Sequence, residues 1–389
     1  MMDMSEGVTG VASKTRGEAQ EAPAVRIWDL PVRLFHWLLV LTVAVASITG
    51  WLLPPTWLQL HLIAGTAIAA LVLFRLVWGF TGTAYSRFSS FVFPPSVVLK
   101  HVEDLSEGRA GREAGHNPLG ALNVFALLAV LAGIVLTGTL ALGGALKQGP
   151  FKSFLGFDAG WLSRDFHSFL AVALLVLIGG HLAGVIFESV RTDENLATSM
   201  VIGTKREGFA HGLKSQKARP FTALVVVVGV AALTFYAITS LDQRPPAGVP
   251  HLAVDQSWAK ECSACHIAFH PSLLPAASWA GIMDNLANHF GEDASLNAAT
   301  TASIKAFLVA NAAEQWDTLP ARRLQMIDPA RPLEITASRF WIRMHDFISP
   351  AVFASKAVKA KQNCQACHAD AASGMFAPQE ISIPEESEQ

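Results

Sequence analysis

His167-Ser168-Phe169-Leu170-Ala171-Val172-Ala173-Leu174-Leu175-Val176-Leu177-Ile178-Gly179-Gly180-His181 contains no charged residue, and it opens and closes on an imidazole. Its Leu and Ala content favours helix. The apolar run continues to Phe187, so Ser168–Phe187 is long enough to cross the ~30 Å hydrocarbon layer of a bilayer. The two rings lie 14 positions apart, which on a helix gives about 21 Å of rise and a rotation within about 40° of one face. One helix therefore offers imidazoles at two depths of a membrane. An ionisable side chain in that setting is a functional hypothesis by default.

Four further stretches have the same character: Leu34–Leu53, Leu58–Phe80 and Leu119–Leu146 before it, and Phe221–Ser240 after it. Across all five, Arg75 is the sole Lys, Arg, Asp or Glu. Composition agrees, because 15% of residues are charged where soluble domains carry roughly a quarter. A net charge of −2 leaves no basic footprint for nucleic acid, and the 51% hydrophobic content excludes a wholly disordered chain. Pro54-Pro55 separates the first two spans, and Asn117-Pro118 supplies a helix cap and first-turn residue for the third. Residues 1–24 hold no apolar run of the kind a secretory signal needs, and read as a disordered tail.

Orientation follows from where Lys and Arg fall. Lys14, Arg16, Arg26 and Arg33 precede the first span; Arg87, Lys100, Arg109 and Arg112 follow the second; Arg191, Lys205, Arg206, Lys214, Lys217 and Arg219 follow the fourth. The first connection has none, and the third has Lys147, Lys152 and Arg164. The positive-inside rule places the N-terminus in the cytoplasm. Five crossings then put the C-terminal part outside.

With that orientation, His36 lies near the cytoplasmic face and His61 near the exterior, while His167 is exterior and His181 cytoplasmic. Matching depths gives the pairs His36/His181 and His61/His167, each able to hold a b-type haem between two imidazoles. The third and fifth spans carry no His and serve as wall and anchor. Gly65 and Gly179-Gly180 beside the ligands suit close approach of a flat ring, although small residues are common at any helix contact. Arg75 has two readings, a partner for haem propionates or a snorkelling side chain. His101, His116, His211 and His251 lie in connections and read as solvated; the basic segment 191–220 reads as a solvated cytoplasmic loop.

Beyond the Pro-rich linker 241–256, the chain becomes polar and holds all four cysteines in two pairs. Cys262-Ser263-Ala264-Cys265-His266 and Cys364-Gln365-Ala366-Cys367-His368 both fit C-x-x-C-H, the covalent attachment signature of c-type haem. Two thiols at this spacing reach the two vinyl groups, and the adjacent His is delivered to the iron. A redox dithiol or a zinc site is the alternative, but neither needs a His after each pair. Attachment of this kind belongs to an oxidising compartment, in keeping with an exterior location. His289 and His345, 23 residues after His266 and 23 before His368, are the candidate distal ligands in that order. Met283 and Met344 are the alternatives, and His270 reads as solvated or as a neighbour of the first haem.

Trp28-Asp29-Leu30-Pro31-Val32-Arg33-Leu34-Phe35-His36-Trp37, His61-x-x-x-Gly65, Arg75-Leu76-Val77-Trp78-Gly79-Phe80, Gly115-His116-Asn117-Pro118-Leu119-Gly120 and the His167/His181 pair together resemble the bacterial cytochrome b561 and nickel-hydrogenase b-type cytochrome family over residues 25–190. The resemblance implies a four-helix bundle with two b haems on His36, His61, His167 and His181. Leu273-Leu274-Pro275-Ala276, Ser278-Trp279, His289-Phe290-Gly291-Glu292 and Asn363-Cys364-Gln365-Ala366-Cys367-His368 resemble the dihaem cytochrome c family. One departure matters: hydrogenase b subunits serve a separate iron–sulfur subunit, whereas here an exterior relay is fused to the membrane part.

The expected architecture is all-α. A four-helix haem-b bundle (25–190) leads through the loop 191–220 to a fifth, anchoring helix (221–240), the linker, a small dihaem c domain (257–378) and a tail (379–389). The expected function is electron transfer from membrane quinol through two b and two c haems to a soluble periplasmic redox protein, from a bacterial inner membrane. Family resemblance suggests a small c-type haem protein as that acceptor. The alternatives are the reverse flow, from a periplasmic dehydrogenase or hydrogenase to quinone, and a haem-based ligand sensor. No catalytic group beyond a quinol site is needed.

Overall fold

The computed structural model describes residues 24–113, 115–206, 217–326 and 329–384. Most of the expected tail 1–24, the residue His211 and positions 385–389 lie outside the described residues. Five helices are long and apolar enough to cross a membrane. These are α1 (Leu30–Trp51), α2 (Leu58–Thr81), α4 (Pro118–Ala145), α5 (Phe157–Thr192) and α7 (Pro220–Asp242).

Local chemistry sets their ends. Asp29 accepts the Val32 N–H at the start of α1, and Asn117 accepts the Gly120 N–H at the start of α4, with proline in the first turn of each. The fourth helix departs most from its expected bounds, running 36 residues instead of the apolar core Ser168–Phe187. At 1.5 Å per residue it is about 54 Å long, well beyond the hydrocarbon layer. Hydropathy marks the apolar layer, whereas Asp158, Arg164 and Asp165 are polar residues that a helix accommodates outside it.

α4 and α5 cross where Gly144 faces Gly160: a Cβ built on Gly160 would lie 2.2 Å from Ala145 N and 2.4 Å from Gly144 C. Ile68 and Val72 of α2 bury against Leu131 and Leu174. α7 leans on α2 through Ala223, beside Val32 and Trp78, while Phe221, Leu233, Phe235 and Tyr236 stay exposed. A contiguous apolar surface of that extent suits hydrocarbon, not water, and the protein is an integral membrane protein.

Two expectations for connections are corrected. Within 191–220 the chain folds as α6 (Leu196–Ile202) and a strand, β2 (Thr204–Arg206), paired antiparallel with β1 (Ala24–Arg26). Asn195 caps α6, Gly203 closes it at φ +90°, and Lys205 is buried, so this is not a solvated loop throughout. The second connection forms α3 (Pro95–Ser106), whose buried face carries His101.

The C-terminal region is helical and has its own core. α8 (Gln256–Cys262), α9 (Ala276–Met283) and α10 (Ala298–Ala310) enclose Trp258, Leu274, Trp279, Ile304 and Leu308. Short helices α11 (Leu319–Leu324), α12 (Arg339–His345) and α13 (Pro350–Ala354) follow. The chain stays packed past 378, where a tail was expected. Ala369 N–H donates to Glu380 O, and Ser382 N–H to Cys367 O, so two backbone bonds hold this segment to the second Cys pair.

Candidate haem sites

Helix packing brings the membrane histidines together in two pairs. His36 of α1 faces His181 of α5 with ring centroids 6.4 Å apart, and His61 of α2 faces His167 of α5 at 6.0 Å. A metal–imidazole bond is about 2 Å. With about 1.1 Å from each bonding nitrogen to its ring centre, two imidazoles on one iron stand about 6 Å apart. Both membrane pairs match that span.

Which nitrogen is free depends on what the other one does. His61 Nδ1 lies 3.0 Å from Ala46 O and 3.1 Å from Thr49 Oγ1, and His167 Nδ1 lies 2.9 Å from Ile134 O. An Nδ1–H donated to a carbonyl leaves Nε2 free to ligate a metal and fixes the ring plane. Gly50 and Gly138 back these rings: a Cβ would come within 3.3 Å of His61 Cε1 and 3.0 Å of His167 Cε1. Sequence reasoning missed both glycines, since they sit on other helices. A Cβ on Gly65, Gly179 or Gly180 would meet nothing within 4 Å, leaving room beside these histidines for a flat ring.

The end of the bundle near His36 is held by a carboxylate hub that sequence reasoning also passed over. Asp29 Oδ2 accepts from Trp78 Nε1 at 3.0 Å, Thr83 Oγ1 at 2.8 Å and Ser86 Oγ at 2.6 Å. The hub ties the start of α1, about two turns before His36, to the end of α2. Arg75 does not snorkel. It is buried, donates to Ser86 O at 3.0 Å and lies 4.8 Å from the Phe88 ring centre.

Two histidines expected to be solvated are not, and His270, read as solvated or as a neighbour of the first haem, is buried too. His101 is buried on α3. His116 is wedged against Phe91 at 4.5 Å and Trp28 at 4.9 Å. Burial, with Arg75, Lys205 and His181 nearby, pushes its imidazole down to about 3. His270 is 4% exposed, edge-on to Trp316 at 4.6 Å, with Nδ1 2.8 Å from Ser272 Oγ. His251 is exposed as expected.

The C-terminal region brings together two more pairs in the expected order. His266 faces His289 at 6.1 Å, and His345 faces His368 at 6.0 Å. His266 Nδ1 lies 2.7 Å from Ile267 O and His345 Nδ1 2.8 Å from Trp341 O, again leaving Nε2 free. A cavity of about 490 Å³ opens at His345, lined by Trp341, Phe353, Lys361 and Arg331. Met283 is buried in the core with Trp258 and Ile304. Burial pushes the Cys262 and Cys364 thiols up to about 11.

Comparison with known proteins supports both halves. Residues 27–203 match the prokaryotic cytochrome b561 family model, and residues 258–376 match that of dihaem cytochrome c. A probable Ni/Fe-hydrogenase 1 B-type cytochrome subunit of Escherichia coli is 26% identical over 227 residues, covering 50% of this chain and 94% of that protein. A corresponding subunit of Bradyrhizobium diazoefficiens is 26% identical over 236 residues, covering 52% and 95%. The solved diheme cytochrome c from Rhodobacter sphaeroides is 40% identical and covers 33% of this chain and 100% of its own, with TM-score 0.29. That from Shewanella baltica is 35% identical, covering 33% and 92%, with TM-score 0.27. Residues 27–203 thus belong to the prokaryotic cytochrome b561 family and residues 258–376 to the dihaem cytochrome c family, joined in one electron-transfer chain.

Proposed function

We propose that this chain carries four bis-histidine haems and relays electrons between the membrane quinone pool and a soluble periplasmic redox protein. The observation that carries the reading is the recurrence of one geometry: four His–His pairs with centroids 6.0 to 6.4 Å apart, two in the membrane part and two beside C-x-x-C-H motifs. His36/His181 and His61/His167 hold b-type haems, while His266/His289 and His368/His345 ligate c-type haems attached through Cys262/Cys265 and Cys364/Cys367. Each haem, when bound, supplies a one-electron iron couple. The protein's own contribution is positional. Backbone carbonyls orient the imidazoles of His61, His167, His266 and His345, glycines admit the ring, and apolar helices keep water from the membrane pairs. None of these groups makes or breaks a bond.

The bis-histidine ligation tends toward lower potentials than His/Met ligation, which favours a low-potential acceptor. Basic residues gather at one end of the bundle, where Arg191 donates to Ala110 O and Arg87 to Lys217 O. This supports a cytoplasmic placement of that end and a periplasmic c domain. A pyridine haemochrome spectrum of the purified protein tests the stoichiometry: two b and two c haems are expected, and any other ratio refutes the assignment. Redox titration tests direction. The c haems should lie at or above the b haems for quinol oxidation, and the reverse order would favour delivery to quinone. A reduced protein that binds carbon monoxide would instead support a sensor with an open sixth position.

A further inference from the structure

We infer that the c domain is not a tethered, swinging module but is locked onto the bundle by a buried ionic clasp, with its second attachment site turned toward the membrane helices. The linker 241–256 would allow either arrangement, since its Pro and Gly residues read as a spacer. What decides between them is Asp317, at the foot of α11. Its Oδ2 accepts from Lys147 Nζ at 2.9 Å, in the connection between α4 and α5, and from the N–H of Phe157, the first residue of α5, at 2.6 Å. Its Oδ1 lies 3.1 Å from Arg322 Nε, and Arg322 reaches on to Asp158 of α5 at 2.7 Å.

The Lys147 side chain is 1% exposed and has φ +57°. A buried ammonium in left-handed backbone is costly unless paired. Its partners are Asp317 and the Leu155 carbonyl. The receptor is shaped for the carboxylate, since a Cβ on Gly248 would meet Asp317 Cβ at 2.4 Å, and Gly248 O accepts the Asp317 N–H at 2.7 Å. The linker is held at the same place. Asp242 pairs with Lys152 at 2.6 Å, and Ala247 N–H donates to Lys152 O. Arg323 adds a guanidinium 4.7 Å from the Trp161 ring centre.

A second contact fixes which side of the domain faces the bundle. The turn Pro378–Glu380 packs on the turn Pro55–Trp57 that precedes His61. That same C-terminal segment is bonded to Cys367 and pairs Ile381 with His368. The first attachment site lies in the other arm of the domain, where Cys265 and Phe290 are exposed.

Thiol cross-linking of the full, haem-loaded protein in membranes tests the dock independently of any electron-transfer assay. The pair Thr56→Cys with Glu380→Cys should couple rapidly with a short bismaleimide, and the pair Thr56→Cys with Lys260→Cys should not. Equal yields from the two pairs, or no coupling of 56 with 380, would overturn the locked orientation. Adding Asp317→Asn to the 56/380 pair should lower its yield at unchanged haem content. An unchanged yield would overturn the role given to the clasp. Because the unsubstituted background gives the first answer, a poorly folding Asp317 variant does not decide the matter. A wrong haem assignment would show in the haemochrome ratio and leave the cross-linking pattern intact.

Discussion

Gly160→Ala adds one methyl group at the tightest helix crossing in the membrane part. Its Cβ would sit 2.2 Å from Ala145 N, 2.4 Å from Gly144 C and 2.5 Å from Gly144 Cα. Carbon contacts settle at about 3.5–4.0 Å, so α4 and α5 must part by about 1 Å. The clashing atoms are backbone, and no rotamer change relieves them. Overpacking of this kind costs about 1–3 kcal/mol, and at about 2–4 °C per kcal/mol for a folded unit the size of the bundle the unfolding midpoint in detergent should fall by about 2–12 °C. His167 lies two turns further along α5, about 10 Å from the clash. Its ring is held by Ile134 O of α4 at 2.9 Å, so separating the helices pulls that anchor away. The b-to-c haem ratio should drop as the His61/His167 site loosens. Circular dichroism during heating and a pyridine haemochrome spectrum read the two effects. Gly184→Ala is the control, because a Cβ there meets nothing within 4 Å. If Gly160→Ala matches wild type in both measurements, the crossing is not the constraint argued here.

Three further outcomes are expected. His181→Ala should remove the b haem shared with His36 and spare the one on His61 and His167, whose rings stand 6.0 Å apart; optical spectra showing loss of the latter haem would break the depth pairing. Gly374→Ala should destabilise the c domain by about 1–3 kcal/mol. Its φ is +69° and the new Cβ would meet His270 Nδ1 and Ser272 Oγ at 2.7 Å, so denaturant melting in which this variant equals wild type would contradict the packing argument. Burial lowers His270 to about 4, below its unfolded value near 6.5. Between these values the unfolded chain binds the extra proton, so this contribution is complete above about pH 6.5 and is lost as pH falls toward 4. It is on the order of 3 kcal/mol. His270→Gln removes the titrating group, and unfolding curves that fall in parallel for both proteins would show that His270 is not the cause.

What the sequence makes legible here is what depends on position along one helix. Charge-free runs mark spans because hydrocarbon excludes charge everywhere along its thickness. The depth of a histidine in such a run follows from 1.5 Å per residue, which is why His36 could be matched with His181 and His61 with His167. The C-x-x-C-H motifs are legible for a related reason, since thioether chemistry constrains neighbouring residues. Caps such as Asn117 are equally local. The ends of α5 were not legible from hydropathy, because that property reports the solvent around a helix and not its hydrogen bonds.

Residues whose roles come from distant partners give no such signal. His116 and His270 look like any polar residue in a connection until Trp28, Phe91 and Trp316 close around them. Asp317 stands in a stretch, Gln315-Trp316-Asp317-Thr318, that could sit on any soluble surface. Its meaning lies with Lys147, 170 positions earlier. The one available hint was the lysine: a charge placed two positions past the end of a helix of 28 uncharged residues must find water or a partner. At a free bilayer surface it would extend into solvent. A side chain left 1% exposed there implies that something covers it, and the carboxylate arriving from the c domain is what makes that burial tolerable.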